Sequence, residues 1–136
     1  MNYSGVKWFL IFVLIASFCF AGEDTHIDSL NNLLDNNPSS RTKVHIYVDL
    51  AALYSQTDPE LAKKYARDGY ELALKISDLE NAANSLNNLA VCHYYQGQLK
   101  QALMFYKKAL RLDRQINNKQ SIATRLNNIG MIYNDM

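Results

Sequence analysis

Leu86-Asn87-Asn88-Leu89-Ala90 recurs 40 residues on as Leu126-Asn127-Asn128-Ile129-Gly130. A fixed period of this length marks a stacked repeat, in which each unit buries its apolar face on the next. Other pairs keep the same interval: Ala62 and Ala102, Gly69 and Ala109, Leu72 and Leu112, Ile76 and Ile116, Ala83 and Ala123. Working outward, every long segment between Ser39 and Asn134 carries apolar residues at helical spacing. The expected fold is therefore all-α: a superhelical solenoid of antiparallel helix pairs, preceded by a signal peptide.

The helices are delimited by local chemistry. Thr25 to Asp35 carries Ile27, Leu30, Leu33 and Leu34 on one stripe, and Asn36-Asn37-Pro38 ends it. Such a helix would cover the open end of the first repeat. Ser39 or Ser40 caps Arg41 to Gln56, which is striped by Val44, Tyr47, Leu50, Ala51 and Tyr54. Thr57-Asp58-Pro59-Glu60 starts the helix Pro59 to Ile76, with Asp58 as cap and Pro59 at the first turn. Ser77-Asp78-Leu79-Glu80 has the capping-box pattern for Leu79 to Gln96. Gly97 closes that helix, Leu99 to Ile116 follows, and Asn117-Asn118 breaks the chain before Lys119 to Asn134.

Leu50 and Leu89 stand 39 apart, so the Thr57–Pro59 turn is expected to be one residue shorter. Small residues fall where backbones must approach: Ala51, Ala90 and Gly130 in the first helices of each pair, and Ala62, Gly69, Ala102 and Ala109 in the second. The expected organisation is a signal peptide over 1–21 and a capping helix and linker over 22–40. Repeats follow over 41–78, 79–118 and 119–136, the last incomplete.

Composition narrows the function. The chain has 136 residues, 14 basic and 13 acidic. With Lys7 set aside as part of the leader, the balance is 13 to 13, without the basic block that nucleic acid requires. Trp8 to Phe20 is an apolar run of 13 residues behind Lys7, the form of an export signal. Ala21 is the expected cleavage site. Cys19 offers lipidation, and an uncleaved anchor is the other alternative. Each outcome places the remaining chain in the periplasm or at a membrane. Cys92 is then alone, which excludes a disulfide framework and a cysteine zinc site within one chain. His26, His45 and His93 lie on three different helices without a second ligand at i+4, and serines lack a nucleophile elbow. No catalytic, cofactor or metal site is expected.

The pattern Leu86-x-x-Leu89-Ala90-x-x-His93-x-x-x-Gly97-x-x-x-x-Ala102-x-x-x-Tyr106-x-x-Ala109 is similar to the tetratricopeptide repeat. The resemblance covers residues 41 to 134. His93 departs from it where Tyr54 and Tyr133 keep the usual tyrosine, and Arg114 stands near a usual proline. The period of 40 exceeds the family's roughly 34, so each helix should be about a turn longer. Ile27-Asp28-Ser29-Leu30, Thr57-Asp58-Pro59-Glu60-Leu61-Ala62 and the LNN helices also resemble exported repeat regions of bacterial sensor histidine kinases. Some related regions precede DNA-binding output domains.

The resemblance implies a protein- or peptide-binding module, the extracytoplasmic input segment of a sensor. A standalone envelope scaffold, or the repeat region of an enzyme with its catalytic domain elsewhere, is the alternative. The expected ligand surface is the concave face of the first helices: His45, Val48, Ala52 and Ser55; Asn84, Asn87, Val91 and Tyr94; Thr124, Asn127, Met131 and Asn134. The competing reading is that Asn87, Asn88, Asn127 and Asn128 bond between neighbouring helices. The Lys/Arg carboxylate clamp of chaperone-binding repeats is missing from this face. Ile122, Leu126, Ile129 and Ile132 would leave the last helix with an uncovered side, consistent with a longer parent protein or with self-association through residues 119–136.

Overall fold

The computed structural model describes residues 25–136. The expected export signal lies outside the described residues. One helix, α1, covers residues 25–35. On it Leu30 is buried, but Leu33 is half exposed and so does not share the covered stripe. The second unit, Asn37–Met136, holds five helices: α2 (Ser40–Tyr54), α3 (Pro59–Lys75), α4 (Leu79–Tyr95), α5 (Leu99–Gln115) and α6 (Lys119–Asp135). No strand occurs among the described residues.

The last four helices have the same length, 17 residues, and start 20 residues apart. Each is joined to the next by a three-residue link: Ile76-Ser77-Asp78, Gln96-Gly97-Gln98 and Ile116-Asn117-Asn118. The middle residue of each link has a positive φ: 58° at Ser77, 70° at Gly97 and 54° at Asn117. The two bonds of a Schellman end close each link. After α3, the Ser77 N–H reaches Leu74 O (3.1 Å) and Asp78 N–H reaches Ala73 O (2.8 Å). Gly97 with Gln98, and Asn117 with Asn118, repeat the arrangement. The third residue of the link starts the next helix. Asp78 Oδ1 accepts from Asn81 N–H at 3.1 Å, and Asn118 Oδ1 from Ser121 N–H at 3.1 Å.

Two sequence expectations are corrected here. The capping box at Ser77–Glu80 is absent: Ser77 is the left-handed residue that ends α3, and Asp78 is the cap. The Asp78 carboxylate also takes a bond from the Asn81 side chain at 2.9 Å. The α2–α3 link is not short. It holds four residues, 55–58, and the one-residue offset arises because α2 has 15 residues. At the start of α2 the cap is Ser39, which accepts from Thr42 N–H.

Within this second unit each helix from α2 to α6 packs on its chain neighbours, and α2 also touches α4. Ala51, Ala66, Ala83 and Ala109 are fully buried beside Leu86 and Leu89, with Tyr65, Tyr70, Phe105 and Leu112 around them. Farther along, Ala90, Ala102, Tyr106, Leu110, Ile129 and Ile132 form a second core where α4, α5 and α6 meet. Tyr54 stacks on Tyr65 and His93 stacks on Phe105, so the aromatic position of the repeat keeps its role when histidine replaces tyrosine.

Gly69 and Gly130 differ. A Cβ at Gly69 would lie 3.0 Å from Ser85 Oγ and 3.2 Å from Tyr47 Cβ, so this is a close approach. A Cβ at Gly130 would meet nothing within 4 Å, which corrects the expectation of a close approach there. Gly130→Ala should therefore stabilise the protein by about 0.5–1 kcal/mol through backbone entropy. Gly69→Ala should destabilise it, because an overpacking cost of about 1–3 kcal/mol outweighs a gain of about 1. Urea denaturation midpoints check both signs.

Candidate functional site

The faces named from sequence are carried by α2, α4 and α6. These helices are tied together by polar bonds. Asn88 Nδ2 donates to Val48 O at 2.9 Å, linking α4 to α2. From α6, the Arg125 guanidinium donates to Asn87 Oδ1 (3.1 Å) and Asn84 Oδ1 (2.9 Å) of α4. Tyr94 Oη donates to Asp135 Oδ2 at 2.8 Å, again joining α4 to α6.

The predicted ligand face is thus divided. Asn84, Asn87 and Tyr94 are engaged between helices. Thr124, Asn127 and Met131 are exposed on α6, and Val91 is half-buried on α4. Thr124 Oγ1 turns back to Gln120 O, and Asn127 lies 3.9 Å from Met131 Sδ. His45 is exposed beyond them. It lines a polar cavity of about 650 Å³ with Arg41, Asp78, Glu80 and Asn118, at the starts of α2, α4 and α6. Burial alone would raise the Asp78 carboxyl, but the two Asn81 bonds, together with the nearby His45 and Arg41, hold the group below the usual range.

Sequence reasoning missed the pair that organises this region. Asp113 of α5 is 1% exposed and Arg125 of α6 is 5% exposed, with Arg125 Nε 3.2 Å from Asp113 Oδ2. The contact is an ion pair without aligned hydrogen-bond geometry, and neither carboxylate oxygen has a hydrogen-bond partner. Burial pushes the Asp113 carboxyl up, with Arg125 opposing the shift. The signal was present in the 40-residue register. Asp113 stands where Ala73 stands one repeat earlier, and Arg125 where Ser85 stands. A paired switch from small to charged at two facing positions is a trace of contact.

A second surface was also missed. Leu126 and Ile129 of α6, with Leu103 and Leu110 of α5, floor an open groove of about 790 Å³. Lys100, Lys107, Lys108, Arg111 and Arg114 stand around it. Cys92 is fully buried, and burial pushes its thiol up, away from reactivity. Tyr106 is pushed up to about 12 by burial. Among the described residues no group of three or more His, Cys, Asp or Glu could hold a metal ion, and no helix is long and apolar enough to cross a membrane.

Equal helices stacked at a fixed interval define a helical-repeat protein. Residues 77–136 match the tetratricopeptide repeat family, over α4, α5, α6 and the link before them, and this match supports a tetratricopeptide repeat protein. No curated protein matches the chain. Repeats of this family generally mediate protein–protein interaction and are not themselves catalytic.

Removing one member of the buried pair strands the other. Arg125→Ala should cost about 3–5 kcal/mol, whereas Asp113→Leu combined with Arg125→Met should return to the parent stability or exceed it. Chemical denaturation of the two single variants and the double variant measures this directly.

Proposed function

We propose that the chain is a protein-binding module that serves outside the cytoplasm as the input segment of a sensor. The observation that carries the binding part is the alignment of α2, α4 and α6. Bonds from Asn88, Arg125 and Tyr94 tie these helices together, and His45, Val91, Asn127 and Met131 are the positions we assign to their shared wall. An exposed amide, an imidazole and two apolar groups suit an extended peptide, whose backbone needs hydrogen-bond partners and whose side chains need shallow contacts.

Asn84, Asn87 and Tyr94 serve that wall as braces. They set the spacing of α4 and α6 by their bonds to Arg125 and Asp135. Support for the extracytoplasmic role comes from the apolar run behind Lys7 and from the likeness of the LNN helices to sensor repeat regions.

A photo-crosslinking amino acid at Asn127 or Met131, in cells making the intact gene product, should trap a protein partner. The same probe at Leu74, an exposed position on α3, should not. Equal labelling from both positions would contradict the assignment. Residues 1–136 fused to a reporter active only after export should give activity, and Leu10→Lys with Leu14→Lys should abolish it. A reporter that stays inactive with the unaltered leader would remove the extracytoplasmic reading.

A further inference from the structure

α3 and α5 both pack on α4, and far more closely than on each other. Between them lies a crevice of about 300 Å³, made wholly by these three helices. Leu86 of α4, 3% exposed, is its base. Tyr70 forms the α3 wall. The α5 wall is Lys108, Arg111, Leu112 and Gln115, whose spacing puts them on one helix face. Tyr70 and Leu112 also pack against the buried alanines and leucines of the core, so the apolar part of the crevice is fixed in place.

The polar groups around it are uncommitted. Among the described residues, Arg111, Gln115 and the Tyr70 hydroxyl have no hydrogen-bond or ion-pair partner. Lys108 lies over the Phe105 ring, 5.4 Å from its centroid, and meets no carboxylate. The 40-residue register shows what changed. On α3, Lys64 and Asp68 pair at 3.3 Å. The same positions on α5 hold Met104 and Lys108, and Glu71 gives way to Arg111. A self-neutralising pair is thus replaced by two cations without a counter-charge. The acids of the three helices do not supply one. Asp68 is held by Lys64, Glu71 is exposed and does not line the crevice, Glu80 lines the cavity beside His45, and Asp113 is buried on Arg125.

We infer that this crevice binds a small amphiphilic carboxylate, with its apolar body on Leu86 and Leu112 and its anionic head on Lys108 and Arg111. A planar guanidinium donates two parallel bonds to a carboxylate, and the ammonium adds a third. The Gln115 amide and the Tyr70 hydroxyl are neutral donors at the same edge. Small-molecule sites span roughly 300–1,000 Å³, and this cavity stands at the low end, which suits a short chain or a single ring. The site is separate from the α2/α4/α6 wall and does not depend on the peptide reading given to that wall.

Calorimetric titration of the intact chain with octanoate tests this. Octanoate should saturate a single site. Octanol and octylammonium keep the body without the anion, and acetate and inorganic phosphate keep the anion without the body. Each should bind at least about tenfold more weakly. Hexanoate, two methylenes shorter, should lose about tenfold. Lys108→Gln with Arg111→Gln should weaken octanoate at least about tenfold while circular dichroism stays that of the parent. Lys64→Gln with Arg67→Gln, outside the crevice, should leave affinity unchanged. Failure of octanoate to bind overturns the inference, as does equal binding of acetate or an unchanged affinity in the Lys108/Arg111 variant. Binding to phosphatidylglycerol vesicles in place of octanoate overturns it too, since the ligand is then a lipid surface. A rise of about tenfold in octanoate affinity with Asp28→Asn and Asp35→Asn would make the carboxylates of α1 the occupant and overturn it as well.

Discussion

Ser77, Gly97 and Asn117 hold the left-handed backbone conformation at equal intervals, and the stacking of the helices depends on them. Each ends one helix while two backbone bonds fold the chain back on the last turn. The next residue in line, Asp78, Gln98 or Asn118, opens the following helix. A link of fixed length between helices of fixed length leaves little freedom in how neighbours meet. The 20-residue step therefore becomes a spatial step, and the 40-residue sequence period is two of them. The α2–α3 link lacks a left-handed residue, and there the helix is shorter and the step changes.

Within that frame the interfaces are chemically distinct. Between α3 and α4 the equivalent register positions hold Ala73 and Ser85, and Gly69 is drawn close to Ser85. Between α5 and α6 the same register holds Asp113 and Arg125, and Arg125 reaches on to Asn84 and Asn87. Burying two charges costs solvation that their attraction only partly returns. What the pair contributes is register: a guanidinium that must meet a carboxylate and two amides admits one alignment of α6 on α5 and α4. The Asn residues that looked like ligand contacts are part of this device.

Much of the fold was legible because its causes are local or periodic. Apolar residues at helical spacing, caps at Ser39 and Asp58, and Gly97 at a helix end are visible in the residues themselves. Ser77 was misread because serine is better known as a cap than as a left-handed residue, and Ser77-x-x-Glu80 happens to fit a box. The ligand face was less legible, since a side chain's partner lies on another helix. Asn84 and Asn87 carry no mark that says solvent or Arg125. Arg125, in a helix whose polar residues look solvated, gives no sign of burial until it is set beside Ser85. Lys100, Lys107 and Arg111 read as an ordinary wet face until Leu126 is seen uncovered between them.

The central claim is that the left-handed link residues fix the stacking, and substitution at Ser77 tests it most directly. Serine there holds a conformation that costs an L-residue about 1–2 kcal/mol and glycine almost nothing. Ser77→Gly should raise the urea midpoint by about 1 kcal/mol of stability, and Ser77→Val, with its branched Cβ, should lower it by more. If both variants unfold with the parent midpoint, the links are passive connectors and the stacking is held by side-chain packing alone.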